Sequence, residues 1–223
     1  MRFGIAGVIG LSLGLAVITA GELTAQRRGL VDVSPTHERR GFWLEGGLGW
    51  GRESYQCTEE ITCGEGRGPG DYSRWVGKPT FSLGLGGTVS PALRLGVEAT
   101  IWVNSYSDEF VDGGDIFVEN VTETLTGVMA VGRFYPSREA GVFLKGGAGL
   151  GVTAVSLEFG GAPPAETGFA WKVGAGYEIQ VARQLFITPQ LEWASHAFEK
   201  RNADTLRERL LNFSLGVTWQ PGR

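Results

Sequence analysis

The 223-residue sequence has only two cysteines and two histidines, and no excess of basic charge: 20 Lys and Arg stand against 24 Asp and Glu, a formal net charge of -4. An acidic balance of this kind argues against nucleic acid as a partner. The histidines are far apart in sequence, and His37 has no companion that would make it a ligand or a base. Cys57 and Cys63 lie in YQCTEEITCGEG with no histidine nearby, which is half a zinc site at best. No metal site and no cofactor is therefore expected. In an exported chain the same pair reads as a loop disulfide.

Export is what the N-terminus implies. After Met1, Arg2 and Phe3 the chain runs GIAGVIGLSLGLAVITA to Ala20 without a charge, a basic start followed by an apolar stretch. Residues 1–25 are expected to be a signal peptide cut after Ala20 or Ala25, where small side chains precede the break. An uncleaved anchor helix is the alternative, but the run carries several glycines and is short for a bilayer about 30 Å thick. No cysteine stands at either cut, so no lipid anchor is implied. Residues 26–40, polar and interrupted by Pro35, read as a periplasmic lead-in.

What the sequence has in abundance is glycine, 36 residues, roughly 16% against a usual share of about 7%. It is scattered through apolar runs, where glycine is normally unfavourable in strands. A tightly curved sheet tolerates it, which makes the excess a sign of curvature.

Eight segments alternate with the period of two that a strand requires. The first begins at Gly41 and sets Phe42, Leu44, Leu48 and Trp50 against Trp43, Glu45, Gly47 and Gly49. The second spans about Thr80 to Val89. In the third, Leu93, Leu95, Val97, Ala99, Ile101 and Val103 oppose Arg94, Gly96, Glu98, Thr100, Trp102 and Asn104. The fourth, about Val121 to Tyr135, places Leu125, Met129 and Val131 on one face with Glu123 and Arg133, a mixture that a β-bulge would reconcile. The fifth covers Gly141 to Leu157, the sixth Phe169 to Gln180, the seventh Leu185 to Trp193 with an awkward Pro189, and the last Leu211 to Trp219.

Between these strands, long and short connections alternate along the whole chain. A soluble sandwich has no reason to sort loop length by parity, whereas an outer-membrane barrel has short periplasmic turns and long external loops. The two faces agree. One is rich in Leu, Val, Phe and Trp, and the other is made of Gly, Thr, Ser and isolated charges, too poor in charge for the solvated face of a sandwich. The expected fold is all-β: an eight-stranded antiparallel up-and-down transmembrane β-barrel over residues 41–219, apolar face to lipid, with 220–223 as a tail. Aromatics near strand ends, Trp43, Trp50, Trp102, Phe134, Tyr135, Trp193 and Trp219, are expected to form the interfacial girdles.

With these features the chain resembles the small eight-stranded outer-membrane barrel families, the OmpA-like transmembrane domain, OmpX and OmpW among them, from about Gly41 to Trp219. Within SLGVTW, Ser214, Gly216 and Trp219 resemble the signal by which the barrel assembly machinery recognises its clients. The resemblance implies the bacterial outer membrane as location, with its lipid and lipopolysaccharide as surroundings and the assembly machinery as a partner.

The inward charges expected on this reading are Glu45, Arg94, Glu98, Lys145, Lys172, Glu178 and Glu192. An unpaired buried charge is strongly unfavourable, so they should pair across the lumen. Candidate partners are Glu45 or Glu178 for Arg94, and Lys145 or Lys172 for Glu98. An eight-stranded barrel is just wide enough for its own side chains, so a plugged, non-enzymatic barrel with a structural or surface-interaction role is the first expectation. A narrow channel for small solutes or hydrophobic compounds is the alternative.

A lipid A-modifying enzyme is less favoured. In LEWASHAF, parity sends Glu192 and His196 inward and Ser195 outward, whereas a nucleophile and its base must come within hydrogen-bond reach. No catalytic residue is assigned. The first external loop, residues 53–77, carries the cysteines, Glu59, Glu60, Tyr55, Tyr72 and Trp75, and is where an extracellular ligand would bind.

Overall fold

The computed structural model describes residues 39–56, 73, 75–112, 115–137, 140–158, 163–199 and 205–221. Side chains are described for the same residues except 108–112, 115–117, 199 and 205. The expected signal peptide, nearly all of the lead-in, and both cysteines lie outside these residues. Every described residue lies in the unit Pro35–Arg223.

Nine strand segments follow in order: β1 (Phe42–Gln56), β2 (Val76–Ser90), β3 (Leu93–Asp112), β4 (Asp115–Phe134), β5 (Val142–Leu157), β6 (Glu166–Tyr177), β7 (Ile179–Ala182), β8 (Leu185–Glu199) and β9 (Thr205–Trp219). From β1 to β6 each segment pairs antiparallel with the next, as do β7 with β8 and β8 with β9; β1 also pairs with β9 and β6 with β8, which closes the sheet. β6 and β7 are two parts of one barrel strand. Gly176 lies opposite Gln190 and Ile179 opposite Ile187, so the register is unbroken across the gap. The fold is a closed eight-stranded antiparallel barrel. The gap falls where Pro189, which has no N–H to donate, stands in β8. On the other side the Glu178 amide still donates to the Gly141 carbonyl at 2.9 Å.

Parity sorts the side chains. Leu48, Leu83, Leu85, Leu150, Phe169 and Phe213 point outward and are more than half exposed, while the alternate positions are buried or half-buried. An apolar exterior around a charged interior is the arrangement that lipid requires of a spanning barrel. Among the described residues no helix is long and apolar enough to cross a membrane.

The glycines show how tight the inner wall is. A Cβ on Gly86 would stand 2.1 Å from the Leu95 carbonyl oxygen and 2.8 Å from the indole of Trp43; one on Gly96 would stand 2.3 Å from the Leu85 carbonyl and 2.6 Å from the same indole. Two facing strands with no side chain at this pair make the recess that holds Trp43 inside.

Two expectations about the strands are corrected. β4 needs no bulge: its register is continuous with β3 from Leu93↔Phe134 to Asp112↔Asp115 and with β5 throughout. Leu125, Met129 and Val131 simply face the lumen, where they are almost fully buried. β1 runs on to Gln56, so Glu53 to Gln56 are strand rather than loop.

Candidate functional site

The lumen is filled by side chains in three tiers. At the end with the short turns, Arg94 meets Glu178 at 2.5 Å, and the Tyr135 hydroxyl donates to the same carboxylate at 2.7 Å while accepting from Arg94 at 3.1 Å. The other Arg94 amino group donates to Gln220, whose own amide donates to the Arg40 carbonyl at 2.7 Å. Arg39 enters from before β1: it lies 3.8 Å over the Tyr135 ring, donates to the Ala140 carbonyl at 2.8 Å, and sits 3.6 Å from Glu178. Burial lowers the pKa of this guanidinium, against the opposing pull of Glu178.

Above this, Arg133 grips Glu45 through two hydrogen bonds of 2.7 and 2.5 Å. The same carboxylate accepts from Gln190 at 3.2 Å and from Thr218. Glu98 and Glu192 then share two lysines: Lys145 lies 2.5 Å from Glu98 and 2.6 Å from Glu192, and Lys172 bonds Glu98 and stands 3.7 Å from Glu192. All seven expected lumen charges are thus buried and joined, with Arg94 on Glu178 and Glu98 on both lysines. Two bases were missed in the sequence. Arg133 was hidden by the mixed face of β4, although its position directly opposite Arg94 places it inside. Arg39 precedes the first strand, where no periodicity reports a facing.

The upper tier is apolar. Trp102, Leu125, Ala194, Phe198 and Leu210 pack together across the barrel, and His196 stacks parallel on Phe198 with ring centres 6.2 Å apart. His196 is inward and buried, while Ser195 lies on the outer surface between Trp171 and Trp193. The two cannot meet. Glu192 shares the inward face but stands about 13 Å along the strand from His196.

The aromatic residues divide in two. Trp50, Phe134 and Trp219 face outward and are exposed; Trp219 packs edge-on against Phe42, and Trp193 against Trp75. Trp43, Trp102 and Tyr135 do not belong to a girdle, being 0%, 2% and 1% exposed inside the lumen. The reason is parity: each occupies an inward position, and nearness to a strand end does not change the face. On β9, Ser214 and Gly216 face inward and Trp219 outward.

The profile of the outer membrane protein beta-barrel domain family matches residues 13–220. No curated protein sequence matches the chain. Among solved structures, Neisserial surface protein A is similar at 16% identity and a TM-score of 0.49, covering 81% of this chain and 97% of that one. The attachment invasion locus protein Ail of Yersinia pestis, in complex with the heparin analogue sucrose octasulfate, is 14% identical with a TM-score of 0.44, covering 80% and 99%. The outer membrane protein OprG of Pseudomonas aeruginosa is 8% identical with a TM-score of 0.45, covering 82% and 98%. With its inward charges, lipid-facing apolar surface and closed antiparallel sheet, the chain belongs to the outer membrane protein beta-barrel domain family of the bacterial outer membrane.

Proposed function

We propose that this protein is a non-enzymatic outer-membrane barrel whose lumen is closed by its own side chains and whose role, structural or surface-interacting, is exerted through the external loops. The observation that supports this is the tiered filling. Beneath the apolar tier, the space bounded by Lys172, Glu192, His196 and Met129 amounts to about 10 Å³, room for one water at most. The residues around it are ion-paired or packed rather than lining a path.

The test is single-protein conductance in planar bilayers, with Arg94→Ala alongside. The unaltered protein should conduct close to zero, and the variant should lose about 3 to 5 kcal/mol of stability, because Glu178 is left buried without its main partner, with at most a small rise in conductance. Steady conductance by the unaltered protein, with selectivity changed and stability unchanged in Arg94→Ala, would establish the narrow-channel reading instead.

Maturation belongs to the same proposal: removal of residues 1–25, recognition of Ser214, Gly216 and Trp219 by the barrel assembly machinery, and a disulfide between Cys57 and Cys63 in the first external loop, next to lipopolysaccharide and open to an extracellular ligand. In intact cells the two thiols should resist a maleimide until reduced. Labelling without reductant would rule the disulfide out.

A further inference from the structure

Above the apolar tier, at the end with the long loops, the barrel opens into a cup of about 370 Å³. Four carboxylates line it, Glu53, Glu123, Glu166 and Glu208, and among the described lining residues there is no lysine or arginine. Trp102 and Leu125 form its floor and Leu206 part of its wall.

Glu53 is the residue that points to a ligand. It is only 6% exposed, its Oε1 accepts no hydrogen bond, and its charged neighbours in the cup are Glu208 and Glu123, which repel it. Asn104 and Tyr106 donate to Glu123 at 2.9 and 3.0 Å, which fixes that carboxylate without neutralising it. Deeper in the lumen the situation is opposite: Glu45, Glu98, Glu178 and Glu192 each have a Lys or Arg within 2.6 Å. A buried carboxyl among other acids and without a counter-charge holds its proton, and a cation entering the cup takes that proton's place.

We propose that the cup binds a small organic cation, an ammonium or guanidinium group on an apolar body, with Glu53 as the principal counter-ion and the Trp102 ring and Leu206 against the apolar part. Among the described residues no three acids converge as a metal site would require, and much of the wall is apolar, so an organic cation fits better than a metal ion. The volume is in the range of small-molecule sites. An ammonium over an indole adds a further attraction. The inference rests on the closed-lumen reading in that the apolar tier is taken as the floor.

The experiment is calorimetric titration of the full chain, refolded in detergent micelles, with benzylamine, with benzyl alcohol as its neutral counterpart, and with calcium. Benzylamine should bind saturably and at least about tenfold more tightly than benzyl alcohol, and Glu53→Gln should weaken it about tenfold, a loss of about 1.4 kcal/mol. Should that variant fail to show the folded mobility on an unboiled gel, Glu123→Gln serves in its place with the same expectation. No saturable binding of benzylamine, equal binding of amine and alcohol, or an affinity indifferent to the substitution overturns the proposal. So does Glu53-dependent binding of calcium without binding of the amine. Failure of the closed-lumen reading is seen in conductance, which this titration does not measure.

Discussion

Arg94 and Arg133 lie directly across from one another on β3 and β4, where like charges would ordinarily repel. The lumen resolves this by giving each its own glutamate from another part of the wall, Glu178 for one and Glu45 for the other. Arg133→Ala would leave Glu45 with only Gln190 and Thr218 as donors, and should cost about 3 to 5 kcal/mol in urea unfolding of the folded barrel. Replacing Arg133 and Glu45 together with methionines should recover most of that loss, since no buried charge is then stranded. A single substitution costing under about 1 kcal/mol would mean the pair is already neutralised by Lys145. The inward placement of Glu45, Glu98 and Lys172 was legible in the sequence, because period-two alternation fixes a face without any knowledge of the partner. The pairing across the lumen was legible only as alternatives, because it depends on how far the strands are staggered around the barrel, which no strand records alone. Trp43 and Trp102 stand near strand ends, yet the parity of their own strands turns them into the lumen and overrides the preference of aromatics for the interface.

At the scale of the element, Pro189 is the informative case. It looks out of place in a strand, and the structure accommodates it with a local loss of pairing between β8 and the strand made of β6 and β7, while β8 stays paired with β9 through Pro189↔Leu215. Pro189→Val restores the donor and suits an extended backbone. It should raise stability by about 0.5 to 1.5 kcal/mol, the net value of one hydrogen bond, read from the urea midpoint. A lowered midpoint would show that the interruption is needed to let Glu178 reach Arg94. β4 teaches a related lesson: its mixed face suggested a bulge, but an interior partly apolar by design needs no irregularity. The length of β1 was underestimated because Arg52, Glu53 and Ser54 carry polar composition past the apolar part of the strand, where pairing with β2 and β9 continues.

For the whole molecule, the sorting of charge is the dominant fact. Among the described residues five bases, Arg39, Arg94, Arg133, Lys145 and Lys172, meet four acids, Glu45, Glu98, Glu178 and Glu192, a formal excess of one positive charge below the apolar tier. Above that tier the described lining of the cup carries four carboxylates and no lysine or arginine. Such an interior is stable only when the apolar exterior is covered by lipid or detergent. The protein should therefore fractionate with the outer membrane and migrate faster unboiled than boiled on a gel; recovery in the soluble periplasmic fraction with one mobility would refute the spanning barrel.

The contacts of Gln220 carry one more consequence, which concerns the order of events in assembly. This residue follows β9, yet it joins Arg94 on β3 to the backbone of Arg40 just before β1. Arg94 therefore completes its set of partners only when the first and last strands have met at the end where Leu44 pairs with Trp219. Until that moment the lower charges face an open seam through which water can reach them. Zipping of the seam and drying of the interior are thus one step, so a half-closed barrel has little to hold it, and assembly is committed late and all at once.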